Sequence, residues 1–278
     1  MARHPERPHF LDYLDELTTE FIELHGDRSF GDDRALIGGL AKLGERTVLV
    51  LGHQKGNNTR ENITRNFGMA RPEGYRKAER LLRHAAKFGI PVVTLIDTPG
   101  AEPGIGSEER GQATAIAESL LTMAGLDVPI VAVVIGEGGS GGALAIGLAD
   151  RILMLENAIY AVASPEACAA ILWKDTAKAA DAAATMRITA AELARFGIVD
   201  EVIAEPRPAH EQPRETIKAV GAAITRHLSL LEAIFPRADA SAATRLRDAR
   251  YAKFRHIGAW RDDVAQAHGL EAFALSNS

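Results

Sequence analysis

The part of the chain most suited to chemistry is a run of glycines, Gly-Glu-Gly-Gly-Ser-Gly-Gly at residues 136–142, which follows an apolar strand-like segment and precedes a helix-like one. Glycine loses more backbone freedom on folding than any other residue, so such a cluster persists where the main chain takes unusual angles or lets another group approach closely. The first amide hydrogens of a helix lack intrahelical acceptors, and the helix dipole adds partial positive charge beside them. The pattern therefore predicts a site for an anion or a developing oxyanion, with close helix-to-strand packing as the structural alternative.

A dinucleotide site is one alternative interpretation of this run. Gly136, Gly138 and Gly141 match the GxGxxG fingerprint, and Glu156 follows about 20 residues later, as the ribose-binding acid of such sites does. The helix that the fingerprint would open has only about nine residues before Arg151, which is short for a dinucleotide crossover. The motif alone therefore gives weak support to nucleotide binding.

Two further motifs suggest other enzyme classes. Ser140 lies at the centre of a GxSxG pattern, which is typical of serine hydrolases, but the histidines that follow it all lie in a linker or in the terminal helices. Residues 97–100, Asp-Thr-Pro-Gly, resemble the DxxG of GTPases, yet no GxxxxGK[ST] sequence is present to hold a γ-phosphate. Neither motif has the partners that its chemistry requires.

Composition is that of an ordinary globular protein. The chain has 278 residues, 46% hydrophobic and 25% charged, enough for one large α/β domain or two smaller ones. The single cysteine, Cys168, excludes an internal disulfide and a cysteine-based zinc cluster, and its alanine-rich surroundings favour a core position. A net charge of −5 gives no reason to expect a nucleic-acid partner. Without a signal-peptide core or an apolar stretch near the roughly 20 residues of a membrane helix, we expect a cytoplasmic protein.

Hydrophobic periodicity predicts the elements before the glycine run. Apolar residues recur at helical spacing from Phe10 to Leu24 and predict one amphipathic helix that ends near Gly26. Segments 35–43 and 47–52 predict a β-hairpin. Residues 53–71 lack periodicity and predict a long loop, after which Pro72 begins a helix that runs to Phe88.

From residue 92 onward strands and helices alternate, which predicts α/β architecture with parallel pairing. Strands are expected at 92–96, 130–135, 152–155 and 198–203, and helices at 107–124 and 141–149. Ser164 before Pro165 predicts a helix start, and Thr189 with Glu192 forms a capping-box pattern. A proline-rich linker at 205–213 leads to two C-terminal helices, 214–235 and 241–257.

Positive charge is concentrated between residues 55 and 87, where nine lysines and arginines outnumber three glutamates. Such a surface suits phosphates or an acidic partner. We expect Lys55, Arg60 or Arg65 to make these contacts. The charges from Arg76 to Lys87 fit a solvated helix face better.

Longer phrases carry a more specific resemblance than any of these motifs. They are GHQKGNNT at 52–59, RNFGMARPEGYRKA at 65–78, IDTPGAEPGIGSEERGQ at 96–112, VIGEGGSGGALAIG at 134–147 and SPEACAAILWK at 164–174. Together they resemble the α-subunit family of acetyl-coenzyme A carboxylase carboxyltransferase, and the similarity extends from ARHPERP at 2–8 to FRHIGAW at 254–260. The glycine run and ITAAELARFGIVDEVI at 188–203 resemble the wider crotonase superfamily more loosely.

The resemblance implies a crotonase-like spiral of ββα units. It implies an N-terminal helical segment at 1–30, a carboxyltransferase core at 31–205 and a C-terminal helical region at 206–278. The implied partners are a β subunit of similar fold in an α2β2 assembly, the biotin carboxyl carrier protein and biotin carboxylase. The chain itself is expected to bind no metal, because zinc in this family would belong to the partner subunit.

The activity that the resemblance implies is transfer of a carboxyl group from carboxybiotin, on the carrier protein, to acetyl-coenzyme A, giving malonyl-coenzyme A for fatty acid synthesis. By position, Gly141 and Gly142 correspond to the family's oxyanion pair. The substrate-binding residues are then expected to be Gly138, Gly139, Gly100, Ala101, Lys55, Arg60 and Arg65, the last three for coenzyme A phosphates or the carrier. No side-chain base is required if the biotin anion takes the α-proton. The alternative is a non-catalytic assembly or regulatory subunit of the same fold.

Three departures from the family pattern accompany the resemblance. Glu102 stands where relatives usually carry an aromatic residue, so a stacking role there is not expected. The segment EPRPAH at 205–210 lacks the family's paired glycines, which predicts a stiffer loop. Longer relatives carry a helical extension before the position of residue 1, and we expect its contacts to be absent or replaced.

Overall fold

The computed structural model describes residues 1–258. Its strands are β1 (Phe21–Glu23), β2 (Leu36–Leu43), β3 (Arg46–His53), β4 (Val92–Thr98), β5 (Ile130–Gly139), β6 (Arg151–Leu155), β7 (Ile159–Ala161) and β8 (Glu201–Ile203). Its α-helices are α1 (Phe10–Leu17), α2 (Thr59–Thr64), α3 (Pro72–Phe88), α4 (Ile105–Glu109), α5 (Gln112–Gly125), α6 (Ser140–Leu144), α7 (Pro165–Trp173), α8 (Ala179–Met186), α9 (Ala190–Arg195), α10 (Pro213–Ile234) and α11 (Ala242–His256).

One mixed sheet organises these elements, in the order β1-β2-β3-β4-β5-β6-β8, with β7 paired to the end of β5. The strands from β1 to β3 pair antiparallel, and from β3 onward every pair is parallel. The predicted α/β architecture and the predicted hairpin are therefore confirmed. Because parallel strands all end at the same edge of the sheet, β3, β4 and β5 deliver their C-terminal residues to one place.

The predicted N-terminal helix is wrong in its second half. It ends at Leu17, and Phe21–Glu23 instead adds a strand to the free edge of the hairpin. A Cβ atom on Gly39 would lie 2.1 Å from the Ile22 carbonyl oxygen, so the small residue lets the two backbones meet. Backbone pairing with β2 has overridden a side-chain pattern that suits a helix.

The region 53–71, predicted as a loop, contains two short helical pieces. Asn58 caps α2 by accepting a hydrogen bond from the Glu61 amide at 2.9 Å, and a 3-10 turn covers Asn66–Gly68. The predicted helix 107–124 is divided at Gly111, whose φ of 79° is left-handed, into α4 and α5. Helix α3 has the predicted bounds.

Further along the chain the predictions are met with adjustments. Ser164 caps α7 as expected, whereas the Thr189 hydroxyl contacts the Glu192 carboxylate and not the helix amide that a capping box requires. The strand predicted at 198–203 shortens to Glu201–Ile203. Cys168 is half-buried, so the core position predicted for it is not reached.

The two predicted C-terminal helices are α10 and α11, and the remainder of the predicted C-terminal region, 259–278, lies outside the described residues. Phe10 of α1, Val131 of β5, Val220 of α10 and Leu246 of α11 all belong to one hydrophobic core. The N-terminal and C-terminal helices therefore pack on the same core as the sheet. Within residues 1–258, no helix has the length and apolar character needed to cross a bilayer.

Candidate active site

The glycine run is built differently from the turn that the sequence predicts. Strand β5 continues through Gly136–Gly139, where Glu137–Gly139 pairs with β7, and α6 begins directly at Ser140. Ser140 has a left-handed φ of 53°, so the change of direction is confined to one residue. Helix α6 ends at Leu144 and is shorter than the predicted 141–149. The sharp strand-to-helix corner places the start of α6 at the carboxyl edge of the sheet.

Glycine is required at this corner because two backbones touch. A Cβ atom on Gly142 would lie 2.5 Å from the Gly100 carbonyl carbon and 2.6 Å from the Ala101 nitrogen. A Cβ atom on Gly139 would lie 2.1 Å from the Pro99 carbonyl oxygen. The structure thus brings the predicted residues Gly139, Gly142, Gly100 and Ala101 together, at the ends of β4 and β5.

The amide hydrogens at the start of α6 suit an anion. Those of Ser140, Gly141 and Gly142 precede the first i→i−4 bond of the helix, so they have no intrahelical acceptor. Gly141 is partly exposed, and a Cβ atom there would meet only the Ile116 side chain, at 3.5 Å. Gly138 serves another purpose, since a Cβ atom there would lie 2.7 Å from the Tyr160 ring.

A buried charged cluster supports the same edge of the sheet. Lys55 Nζ lies 2.7 Å from Asp97 Oδ1 and 3.8 Å from the Glu137 carboxylate, and His9 Nδ1 lies 3.4 Å from Asp97 Oδ2. Burial alone would raise the pKa of Asp97, but the Lys55 ammonium, the nearby His9 side chain and a hydrogen bond from the Glu137 amide hold that pKa well below its ordinary value. Asp97 is therefore ionised at neutral pH. Together with Arg3, these residues line a cavity of about 250 Å³.

The three basic residues predicted to contact phosphates or the carrier lie in two different places. Lys55 is in the cluster with Asp97, with its side chain 17% exposed. Arg60 and Arg65 line a different cavity of about 690 Å³, together with Arg34 and Glu61 among others. Arg65 donates a hydrogen bond to the Arg34 carbonyl oxygen at 3.0 Å, and Arg60 is exposed.

His53, at the end of β3, is a residue that the motifs did not single out. It is fully buried, and neither ring nitrogen has a hydrogen-bond partner within the described part of the chain. Burial lowers the pKa of His53 to about 3. The Lys55 ammonium reinforces this shift, whereas the Asp97 carboxylate and the nearby Gly142 backbone oppose it. The imidazole is therefore neutral at physiological pH. The one available signal was its place at the end of an apolar strand, directly before the basic loop.

The alternative interpretations gain no support from this geometry. In residues 1–258 no hydrogen bond joins the Ser140 hydroxyl to a histidine, as a hydrolase triad would require. Helix α6 has five residues, too few for a dinucleotide crossover. Asp97 of the GTPase-like motif is engaged with Lys55. No group of three or more His, Cys, Asp or Glu side chains in the described chain could hold a metal ion.

Comparison with solved structures confirms the fold. The fold superposes on a Transcarboxylase 12S structure with methylmalonyl-coenzyme A bound, at a TM-score of 0.65 and 21% identity, covering 82% of this chain and 43% of that one. It also matches a chain of a Pseudomonas malonate decarboxylase hetero-tetramer in complex with coenzyme A, at a TM-score of 0.63 and 17% identity, over 81% of this chain and 92% of that one. The chain spans less than half of the transcarboxylase chain. The predicted crotonase-like α/β fold is therefore confirmed.

Comparison of sequences narrows the class to one family. The family profile described as "Acetyl co-enzyme A carboxylase carboxyltransferase-like" matches residues 1–258. A protein of Synechococcus sp. (strain CC9902), named acetyl-coenzyme A carboxylase carboxyl transferase subunit alpha, is 54% identical over 267 residues, which cover 96% of this chain and 79% of the relative. The chain belongs to the acetyl-coenzyme A carboxylase carboxyltransferase family, as the resemblance of its motifs predicts.

Proposed function

We propose that this chain is the α subunit of a carboxyltransferase that moves a carboxyl group from carboxybiotin, on the biotin carboxyl carrier protein, to acetyl-coenzyme A, giving malonyl-coenzyme A for fatty acid biosynthesis. The observation that carries the proposal is 54% identity, over 96% of the chain, to a protein named for that role. The name "subunit alpha" implies a multi-subunit assembly. An α2β2 assembly with a β subunit, served by biotin carboxylase and located in the cytoplasm, is part of the same proposal.

The start of α6 fits the electrostatic demand of this reaction. Carboxybiotin supplies the carboxyl group, and its ureido oxygen gains negative charge as that group leaves. In our proposal the amide hydrogens of Gly141 and Gly142 face this oxygen and stabilise the charged state over the starting one. One such preorganised donor typically contributes roughly 3 to 4 kcal/mol to the transition state. Gly139, Gly100 and Ala101 form the backbone contacts that hold the two amides in place, and Gly138 leaves room for the Tyr160 ring beside them.

The side chains near the corner fit a reaction in which no side chain acts as a general base. His53 is neutral and fully buried, and Asp97 is tied to Lys55 and to the Glu137 amide. In the proposal these groups fix the walls and exclude water, and none of them moves a proton. Arg60, in α2, and Arg65, directly after it, are assigned with Lys55 to coenzyme A phosphates or to carrier docking, and Arg60 is the most exposed of the three.

Reconstitution tests the proposal directly. The full chain would be mixed with its β subunit, the carboxylated carrier and acetyl-coenzyme A, and malonyl-coenzyme A would be measured with each component omitted in turn. We expect product only when both subunits are present. Product at an unchanged rate without this chain would instead identify it as a non-catalytic assembly subunit, and no product with all components would refute the proposal.

A further inference from the structure

Strand β5 carries a bulge immediately before the glycine corner. Its register with β4 pairs Ile96 with Val134, but two residues later Thr98 pairs with Gly138. One residue of β4, Asp97, therefore faces the three residues 135–137 of β5. A bulge breaks the regular ladder and turns the strand, and bulges recur beside active sites, where they change the direction of the strand residues beyond them.

Asp97 supplies a hydrogen-bond acceptor to the backbone of this bulge. Its Oδ1 accepts a hydrogen bond from the Glu137 amide at 2.9 Å and contacts Lys55 Nζ at 2.7 Å. A Cβ atom on Gly136 would lie 2.5 Å from the same oxygen, so the carboxylate sits directly on the bulged backbone. An amide that the irregular register leaves without a strand partner is thus satisfied by a buried anion.

Arg7 supplies hydrogen-bond donors to the same bulge. Its guanidinium donates to the Ile135 carbonyl oxygen from Nη2 at 3.0 Å and from Nε at 3.3 Å. Nη2 also lies 2.6 Å from Glu205 Oε1, and the two side chains are 2% and 0% exposed. Glu205 in turn accepts a hydrogen bond from the Asn157 amide, so the cation is fixed to a second loop. A buried Arg with this many directed contacts specifies one geometry.

We propose that Arg7 and Asp97 are positioning residues for carboxyl transfer: together they clamp the bulge at 135–137 and so set the direction in which Gly139–Gly142 leaves the sheet. Neither side chain needs to touch substrate. They act through the alignment of the Gly141 and Gly142 amide hydrogens, so the inference rests on the proposed function. Misplacement of a reacting contact by about 1 Å can cost about 100-fold in rate, which makes a clamp of this kind consequential.

The chain offers a matched control in Arg250. This residue is equally buried, forms an ion pair with Asp150 at 2.8 Å and donates to the carbonyl oxygens of Leu126 and Val128. These contacts lie at the residues that precede β5 and β6, the opposite ends of the strands from the glycine corner. Replacing Arg250 removes a comparable set of bonds without touching the bulge.

The experiment compares Arg7→Lys with Arg250→Lys in the complete assembly with β subunit, carboxylated carrier and acetyl-coenzyme A. Both variants should lower Tm, since lysine cannot reproduce either set of directed contacts. Only Arg7→Lys should lower kcat, by about tenfold or more, with KM for acetyl-coenzyme A within about twofold of the wild-type value. Hydrogen exchange at the amides of 139–142 should be faster in Arg7→Lys and unchanged in Arg250→Lys.

A pair of substitutions at Asp97 provides an independent measure, should Arg7→Lys fail to fold. Asp97→Asn keeps an oxygen that can accept from the Glu137 amide, whereas Asp97→Ala removes it, so kcat should be at least about threefold higher in the Asn variant. Equal kcat for Arg7→Lys and Arg250→Lys, equal kcat for the two Asp97 variants, or unchanged exchange at 139–142 would each overturn the inference. A wild-type assembly that makes no malonyl-coenzyme A would refute the proposed function, while the exchange data would still decide whether the clamp exists.

Discussion

Substitution of Gly142 by alanine tests the packing at the glycine corner. The added Cβ atom would lie 2.5 Å from the Gly100 carbonyl carbon and 2.6 Å from the Ala101 nitrogen, and ordinary contact begins at 3.4 Å. The two backbones would therefore separate by on the order of 1 Å, a displacement that can lower a rate about 100-fold when it misaligns a catalytic contact. Overpacking of this kind also lowers the free energy of unfolding by about 1 to 3 kcal/mol.

Gly38→Ala is the matched control for overpacking alone. A Cβ atom on Gly38 would also lie 2.5 Å from its nearest neighbour, the Leu51 side chain, in the hairpin between β2 and β3. We expect both variants to lose stability in thermal unfolding. In the malonyl-coenzyme A assay with the β subunit, kcat should fall about 100-fold for Gly142→Ala and stay within about twofold of wild type for Gly38→Ala. Near-wild-type turnover of Gly142→Ala would refute the assignment of this corner to the reaction.

Two further outcomes are expected. Arg65→Glu should raise KM for the coenzyme A substrate several-fold, because it places a carboxylate where a phosphate is proposed to bind, whereas Arg83→Glu, on an exposed and Glu79-paired side chain of α3, should leave KM unchanged. Equal KM values for both variants would remove the phosphate role. His53→Asn should reduce the acid sensitivity of folding. Burial lowers the pKa of His53 in the folded state to about 3, so between pH 6.5 and pH 3 the unfolded chain binds a proton that the folded chain does not. The stability of the wild-type protein therefore falls as the pH drops from about 6.5 toward 3. By pH 5 the loss in the free energy of unfolding is about 2 kcal/mol. Urea unfolding at pH 7 and pH 5 should show a smaller loss for the variant than for the wild type, and an equal loss in both would contradict this prediction.

The sequence predicts well those parts of the fold whose signals are local. Pro72 and the amphipathic face that follows it define α3, and the Leu43-Gly44-Glu45-Arg46 turn defines the hairpin, with Gly44 at a left-handed φ of 58°. Failures arise where distant backbone pairing decides the outcome. Phe21 continues a helical pattern but lies in β1, because the free edge of β2 offers it hydrogen-bond partners about 20 residues away.

The sequence singled out the glycines of the candidate site and Lys55, but not Arg7 or His53 near them. Glycine density identified the corner, because the cost of glycine in regular structure signals a close approach. The same density suggested a turn at 136–139, whereas pairing of Glu137–Gly139 with β7 extends the strand there. Arg7 lies 128 residues from the Ile135 carbonyl that it contacts. No local pattern along the sequence encodes a contact of that separation, or the burial of His53.

The ion pairs around the corner compensate one another. Lys55 is matched by Asp97, Arg7 by Glu205 and Arg3 by Glu137, so these three pairs together carry no net charge. The field felt by an anion bound at Gly141 would then come from peptide dipoles, which mobile ions outside the protein screen little at short range. Raising the salt concentration should consequently weaken the encounter with charged carrier and coenzyme A, while the barrier to transfer in the fully assembled complex stays nearly constant.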